Sequence, residues 1–170
     1  MSTESATTDP MHFAEPQQQH DWLQRLVGDW SYDAQMAEPG KPPDTASGTQ
    51  TTRSLGRLWI VGEGQGEMPG GGTGTSLLTI GYDPPGQRFV GTWIGSMMTH
   101  LWVYDGWLDD AQRVLTLESE GPSFTGGSTL QKYRDIIEIQ GDDAYVLRSQ
   151  AQDDAGKWQQ FMTATYRRKK

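Results

Sequence analysis

An all-β fold, an antiparallel up-and-down barrel of about ten strands (eight to ten), is what this sequence predicts, on three observations. Strand-length runs with a period of two follow one another from residue 30 to the end of the chain. Short clusters of Gly, Pro and Asp separate them, residue types that set or permit turn dihedrals or bond back to nearby backbone. The runs also follow too closely for a crossover helix, so sequential neighbours pair as hairpins. An open sheet of so many hairpins would leave two exposed edges, and closure removes both.

The elements follow in order. Residues 1–16 are polar and aperiodic and read as a disordered tail, leaving 17–170 as a single barrel domain. A short helix comes next: Asp21 is placed to cap it, Trp22, Leu23, Leu26 and Val27 recur at helical spacing, and Gly28 stops it. So short a helix needs its apolar face covered. Strands are expected near 30–36, 47–55, 57–67, 74–82, 87–96, 99–108, 113–120, 130–139, 144–152 and 158–168. Turns such as Asp83-Pro84-Pro85-Gly86, Gly141-Asp142-Asp143 and Asp153-Asp154-Ala155-Gly156 divide them. Phe89 and Trp93 share one strand face while Val90 and Ile94 share the other; Trp102 and Tyr104 alternate with Val103 and Trp107 in the same way. Apolar groups on both faces fit an outer wall covered by a partner subunit or loop, or a bulge that shifts the register.

Composition excludes several classes. The chain has 170 residues, a formal charge of -8, seven tryptophans, 21 glycines and no cysteine. Without cysteine there are no disulfides, no thiolate chemistry and no cysteine-based zinc sites. The acidic balance repels phosphate backbones, so no nucleic-acid partner is expected. No apolar run approaches the roughly 18 residues of a membrane helix, and Met1 to Pro10 lacks the basic-then-apolar order of a leader, so no membrane partner and a cytoplasmic location are expected.

Two sets of residues carry resemblances. Gly28-Asp29-Trp30, placed after a short helix and opening the first strand, resembles the Gly-x-Trp signature of lipocalin-like (calycin-type) barrels. In that superfamily the tryptophan closes one barrel end and a basic residue of the last strand packs across its ring. Arg168 is the counterpart here, sharing parity with Met162, Ala164 and Tyr166. More of the chain is covered by Leu26-Val27-Gly28-Asp29-Trp30, Gly62-Glu63-Gly64, Gly66-Glu67-Met68-Pro69-Gly70, Gly81-Tyr82-Asp83-Pro84, Phe89-Val90-Gly91-Thr92-Trp93, Ser96-Met97-Met98 and Phe161-Met162-Thr163. These segments resemble the bacterial family called domain of unknown function 1579. The resemblance implies a lipocalin-like barrel and brings no catalytic residue with it.

Chemistry-bearing residues are few. The glycines of 62–74 lack the following helix and the Gly-Lys-Ser/Thr that phosphate cradling needs. Gly62, Gly64 and Gly66 share one strand face, which lets a ring or another backbone approach closely. The opposite face carries Trp59, Val61, Glu63, Gln65 and Glu67; turned inward, it would line a barrel mouth with carboxylates. His100 is the sole histidine of the strand region, open to a wall hydrogen bond or to haem iron, haem being the alternative to no cofactor. Zinc would need Glu63 and Glu120 to converge on it, and no metal is expected. Met97, Trp93, Trp102 and Tyr104 cluster around one hairpin, thioether and ring surfaces that suit an apolar ligand.

The expected function is binding of a small, partly apolar molecule inside the barrel. The expected liners are Trp59, Glu63, Trp93, Met97, His100, Trp102 and Tyr104, with Glu120 and Tyr166 as polar contacts. An enzyme using Glu63, Glu120 or His100 as acid or base is the rival, and requires those groups to reach one pocket atom. An interaction module is the third reading, a homo-oligomer joined through outward Trp107 and Val103.

Overall fold

A computed structural model describes residues 12–68, 70–124, 126 and 129–170. Residues 1–11 of the expected tail lie outside the described residues, while 12–16 are exposed and form no regular element. One helix, α1 (Gln18–Gln24), precedes ten strands: β1 (Gly28–Met36), β2 (Asp44–Leu55), β3 (Trp59–Glu67), β4 (Thr73–Asp83), β5 (Arg88–Gly95), β6 (Trp102–Leu108), β7 (Val114–Pro122), β8 (Leu130–Ile139), β9 (Ala144–Gln152) and β10 (Trp158–Arg168). Every strand pairs antiparallel with its sequence neighbour, and β1 pairs with β10 to close the barrel. The closing seam runs from Trp30 opposite Arg168 to Met36 opposite Met162. The all-strand barrel expected from periodicity and turn chemistry is what forms.

Helix α1 begins earlier than Asp21 suggested. His20, expected ahead of the helix, is inside it: its Nδ1 accepts from the Gln17 N–H at 2.9 Å. The other ring nitrogen lies 3.1 Å from the Tyr82 carbonyl. An imidazole thus caps the first turn and ties it to β4, leaving Asp21 on that turn. The apolar face of α1, Trp22 and Leu23, is buried against the barrel end, and Trp22 Nε1 donates to the Gln112 carbonyl at 2.7 Å.

That end is sealed by a clasp. Trp30 is 1% exposed, and its Nε1 donates to the Leu26 carbonyl at 2.9 Å. The Arg168 guanidinium lies 4.2 Å from the centre of the Trp30 ring. It also donates to the carbonyls of Val27 at 2.7 Å and Asp142 at 3.0 Å. Gly28, at φ 142°, leaves the space that Arg168 Nη1 fills; a Cβ there would collide with it. The Gly-x-Trp pattern is therefore one half of a contact whose other half stands 140 residues later (168 − 28).

Register assigns the faces. Trp30, Tyr32 and Ala34 point inward, and through the β1–β2 and β2–β3 pairings so do Gly48, Gln50, Gly62, Gly64 and Gly66. Trp59, Glu63, Gln65 and Glu67 consequently stand on the outer wall. This corrects the inward placement of the Trp59–Glu63 face: the glycine face is inside because a tyrosine needs the room. A Cβ on Gly48 or Gly66 would overlap the Tyr32 side chain. The mixed faces of β6 have a similar resolution. Trp102, Tyr104 and Leu108 point inward, whereas Val103 and Trp107 are exposed outside, Trp107 lying 5.6 Å from the Arg134 guanidinium. A register irregularity in β10 falls at Gln160/Met162.

Two outcomes follow in urea unfolding. Trp30→Ala lowers stability by about 3–5 kcal/mol and Arg168→Ala by about 1–3 kcal/mol through carbonyls left unpaired; an unchanged midpoint for either contradicts the clasp. Gly66→Ala costs about 1–3 kcal/mol as overpacking, and distinctly less in a Tyr32→Phe background, because the hydroxyl is the atom in the way. Equal costs in both backgrounds refute that contact.

Candidate functional site

The barrel interior divides into two halves. Toward the sealed end, Ile60, Ile80, Phe89, Leu115 and Leu117 point inward and are at most 1% exposed. Toward the other end the inward positions are small or only half-buried: Gly64, Gly66, Ser76, Trp93, Ser119 and Met162. Side chains that point inward and still meet solvent do so through the open mouth.

Polar groups meet in the interior. Three tyrosines lie side by side on β9, β10 and β1: Tyr145 stacks on Tyr166 with centroids 4.5 Å apart, and Tyr166 lies 5.0 Å from Tyr32. The next strands, β2 and β3, carry Gly48 and Gly66 in that row, and Tyr32 leans over them. On β8, the strand beside β9, Asp135 accepts from the Tyr104 hydroxyl at 2.5 Å and from the Ser149 hydroxyl at 2.6 Å. Burial raises the Asp135 carboxyl above its ordinary value, although both hydroxyl bonds pull it down. Burial also raises Tyr166, and the nearby Tyr32 hydroxyl and Asp135 carboxylate raise it further. Tyr104 is raised well above its ordinary value by burial first and by Asp135 second.

Tyr166 is 7% exposed, and its hydroxyl has no hydrogen-bond partner among the described residues. Only Gln24 Nε2, among the described residues, is both fully enclosed and unpaired. The Tyr166 oxygen therefore opens onto the lumen. Asp135 likewise keeps partial solvent contact while pointing inward. Together Tyr32, Tyr104, Tyr166, Asp135 and Ser149 make a recess of hydroxyls around one carboxylate, below a mouth walled by Trp93 and Trp102. Such a recess can accept or donate hydrogen bonds to a polar group while the indoles cover an apolar body.

Of the residues expected to line a site, Trp93, Trp102, Tyr104 and Tyr166 are brought together on the inner face. Trp102 is 5.0 Å from the Tyr133 ring, and its Nε1 lies 3.1 Å from Met98 Sδ. Met97 stands exposed at the mouth over Gly74 and Gly95. His100 is at the rim, its Nε2 2.9 Å from the Glu120 carbonyl and its ring edge-on to Trp102 at 4.7 Å. The remaining three are outside. Trp59 covers Gly81 on the outer wall, Glu63 faces an outer groove, and Glu120 lies opposite Lys132 on the outer face of β7. The pairing register puts these three outside, so Glu63, Glu120 and His100 do not converge on one lumen atom. No group of three His, Asp or Glu comes together as a metal cradle among the described residues. Two concavities open outside the lumen, one of about 610 Å³ between Thr51, Glu63, Leu77 and Ile94, and one of about 300 Å³ beside α1.

Asp135, Ser149 and Tyr32 were missed. The signal for Asp135 was present: Tyr133, Asp135, Ile137 and Ile139 share parity, so the carboxylate lies on the apolar face. Glu118 and Glu138, by contrast, are outside and paired with Arg134 at 2.9 Å and Arg148 at 2.7 Å.

Burial of Asp135 has a sign. With its folded-state pKa raised, the unfolded chain releases this proton first as pH climbs, so the fold loses stability from the ordinary carboxylate range up to the raised value. Asp135→Asn removes that loss, and its stability relative to wild type increases as pH rises from about 4. Urea unfolding at stepped pH measures this; a difference that stays flat, or grows on acidification, contradicts it.

Comparison with solved structures finds the same barrel elsewhere. The structure of Rv2717c from M. tuberculosis is similar over 92% of this chain and 100% of that one, at 15% identity and a TM-score of 0.61. The S-type phycobiliprotein lyase CPES from Guillardia theta is similar over 88% and 92% respectively, at 12% identity and a TM-score of 0.53. A de novo designed fluorescence-activating β-barrel is similar over 88% and 98%, at 12% identity and a TM-score of 0.50. At such identities the likeness is one of fold. No curated protein matches the chain. A family model described as Protein of unknown function (DUF1579) matches residues 15–168, nearly the whole length, and the chain belongs to that family.

Proposed function

We propose that this protein binds a small, partly apolar molecule in the mouth half of its barrel. The observation that carries the reading is the Tyr166 hydroxyl, almost wholly buried, pointing inward and left without a partner among the described residues. Its oxygen is not enclosed but opens onto the lumen, so it is available to bond a polar group brought in from outside. Trp93 and Trp102 supply apolar contact above it. Two structural neighbours, a fluorescence-activating barrel and a phycobiliprotein lyase, support the reading by what their names describe, an architecture that handles small molecules.

The test is titration with N-phenylnaphthylamine, a neutral probe whose emission rises in apolar surroundings. Wild type enhances the emission saturably. Ser119→Trp, which fills the mouth, weakens binding at least tenfold (about 1.4 kcal/mol), whereas Glu63→Gln in the outer groove leaves it unchanged. No saturable enhancement with wild type, or loss through Glu63→Gln and not Ser119→Trp, overturns the lumen as the site.

A further inference from the structure

We propose that the molecule taken into the lumen is an organic cation, an ammonium or amidinium group carried on a small apolar body. This rests on the lumen-binding reading and adds the ligand's chemical class. Pairing register puts two carboxylates on the inner face among the described strand residues: Asp44, exposed at the mouth end of β2 opposite Met36, and Asp135, which lies within the barrel. Among the described residues no cation pairs with Asp135. Arg134 and Arg148, on the same two strands, point outward and are paired with Glu118 and Glu138. Arg168 does point inward, but at the sealed end, where Trp30 and backbone carbonyls hold it. The two partners of Asp135 are neutral hydroxyls, from Tyr104 and Ser149. An ionised carboxylate can accept about four hydrogen bonds, so acceptor capacity is left over on the side that meets the lumen.

The surroundings repeat the preference. Groups near Asp135 that can ionise, Tyr104 and Tyr166, become anions when they do, and Tyr166 also feels Tyr32. An anionic ligand would be repelled by the carboxylate. A neutral ligand would leave it buried without a counter-charge, which costs free energy in a low-dielectric recess. A cation removes that cost, and the mouth tryptophans attract it through their ring quadrupoles. The Tyr166 hydroxyl, near enough to Asp135 to feel its charge, then serves as an acceptor for a second N–H.

A matched set decides the matter: naphthylmethylamine, naphthylmethanol and naphthoate share a ring system and differ in charge. Each is used to displace N-phenylnaphthylamine from the wild-type protein at neutral pH. The ammonium is expected to displace the probe at a concentration at least tenfold below the alcohol, with the carboxylate weakest. In Asp135→Asn the ammonium's advantage over the alcohol shrinks to about twofold or less. Alcohol or carboxylate equal to or better than the ammonium on wild type overturns the proposal, a result that does not depend on any variant folding. An undiminished preference in folded Asp135→Asn also overturns it. Failure of the neutral probe to bind at all is a different result, and strikes the lumen reading itself.

Discussion

The placement of Arg168 across Trp30 is the contact on which the rest of this barrel depends. It joins the last strand to the first at the seam where the sheet closes, and it pins the turn that follows α1 by donating to backbone carbonyls there. A guanidinium suits this position because its planar fork reaches several acceptors at once while its face lies on an indole. One charged side chain thus satisfies several carbonyls at this end. Trp22, Leu23 and Leu26 then complete the plug.

Sealing one end sets a gradient along the interior. Near the clasp, branched aliphatic and aromatic side chains fill the barrel to low exposure. Toward the mouth the strands turn to glycine, serine and alanine on their inner faces, and aromatic and methionine side chains lie over the glycines. The tyrosine row sits where these regimes meet. Its rings occupy volume that β2 and β3 leave empty by carrying Gly48 and Gly66, and their hydroxyls introduce polarity well inside the wall. Asp135 completes that polar layer against the pull of stability: burial disfavours its ionised form, and two hydroxyl donors only partly offset it. The carboxylate is thus a local cost in an interior otherwise consistent with its fold.

How much of this was legible depends on the range of the interaction concerned. Strand number and turn positions were readable because periodicity and turn chemistry are local. The Trp30–Arg168 contact was readable through resemblance to a known signature. Face assignment failed at β3, where Trp59, Val61, Glu63, Gln65 and Glu67 looked like the substantial face and the glycines like the empty one. In the folded barrel the empty face is inside, because Tyr32 from another strand fills it. The helix start also moved, since the His20 imidazole finds a carbonyl on β4 that no local rule supplies.

The sequence by itself determined an antiparallel barrel, since alternation and short turns act within a few residues and closure removes the sheet edges; its sealed end was implied by resemblance alone. Only the tertiary structure decided which side of each strand faces the lumen. That choice also decided that Asp135, Ser149, Tyr104 and Tyr166 meet while Glu63 and Glu120 do not. Residues from β6, β8, β9 and β10 become neighbours only when closure curls the sheet round on itself, and a one-residue change of register would have turned each of them outward.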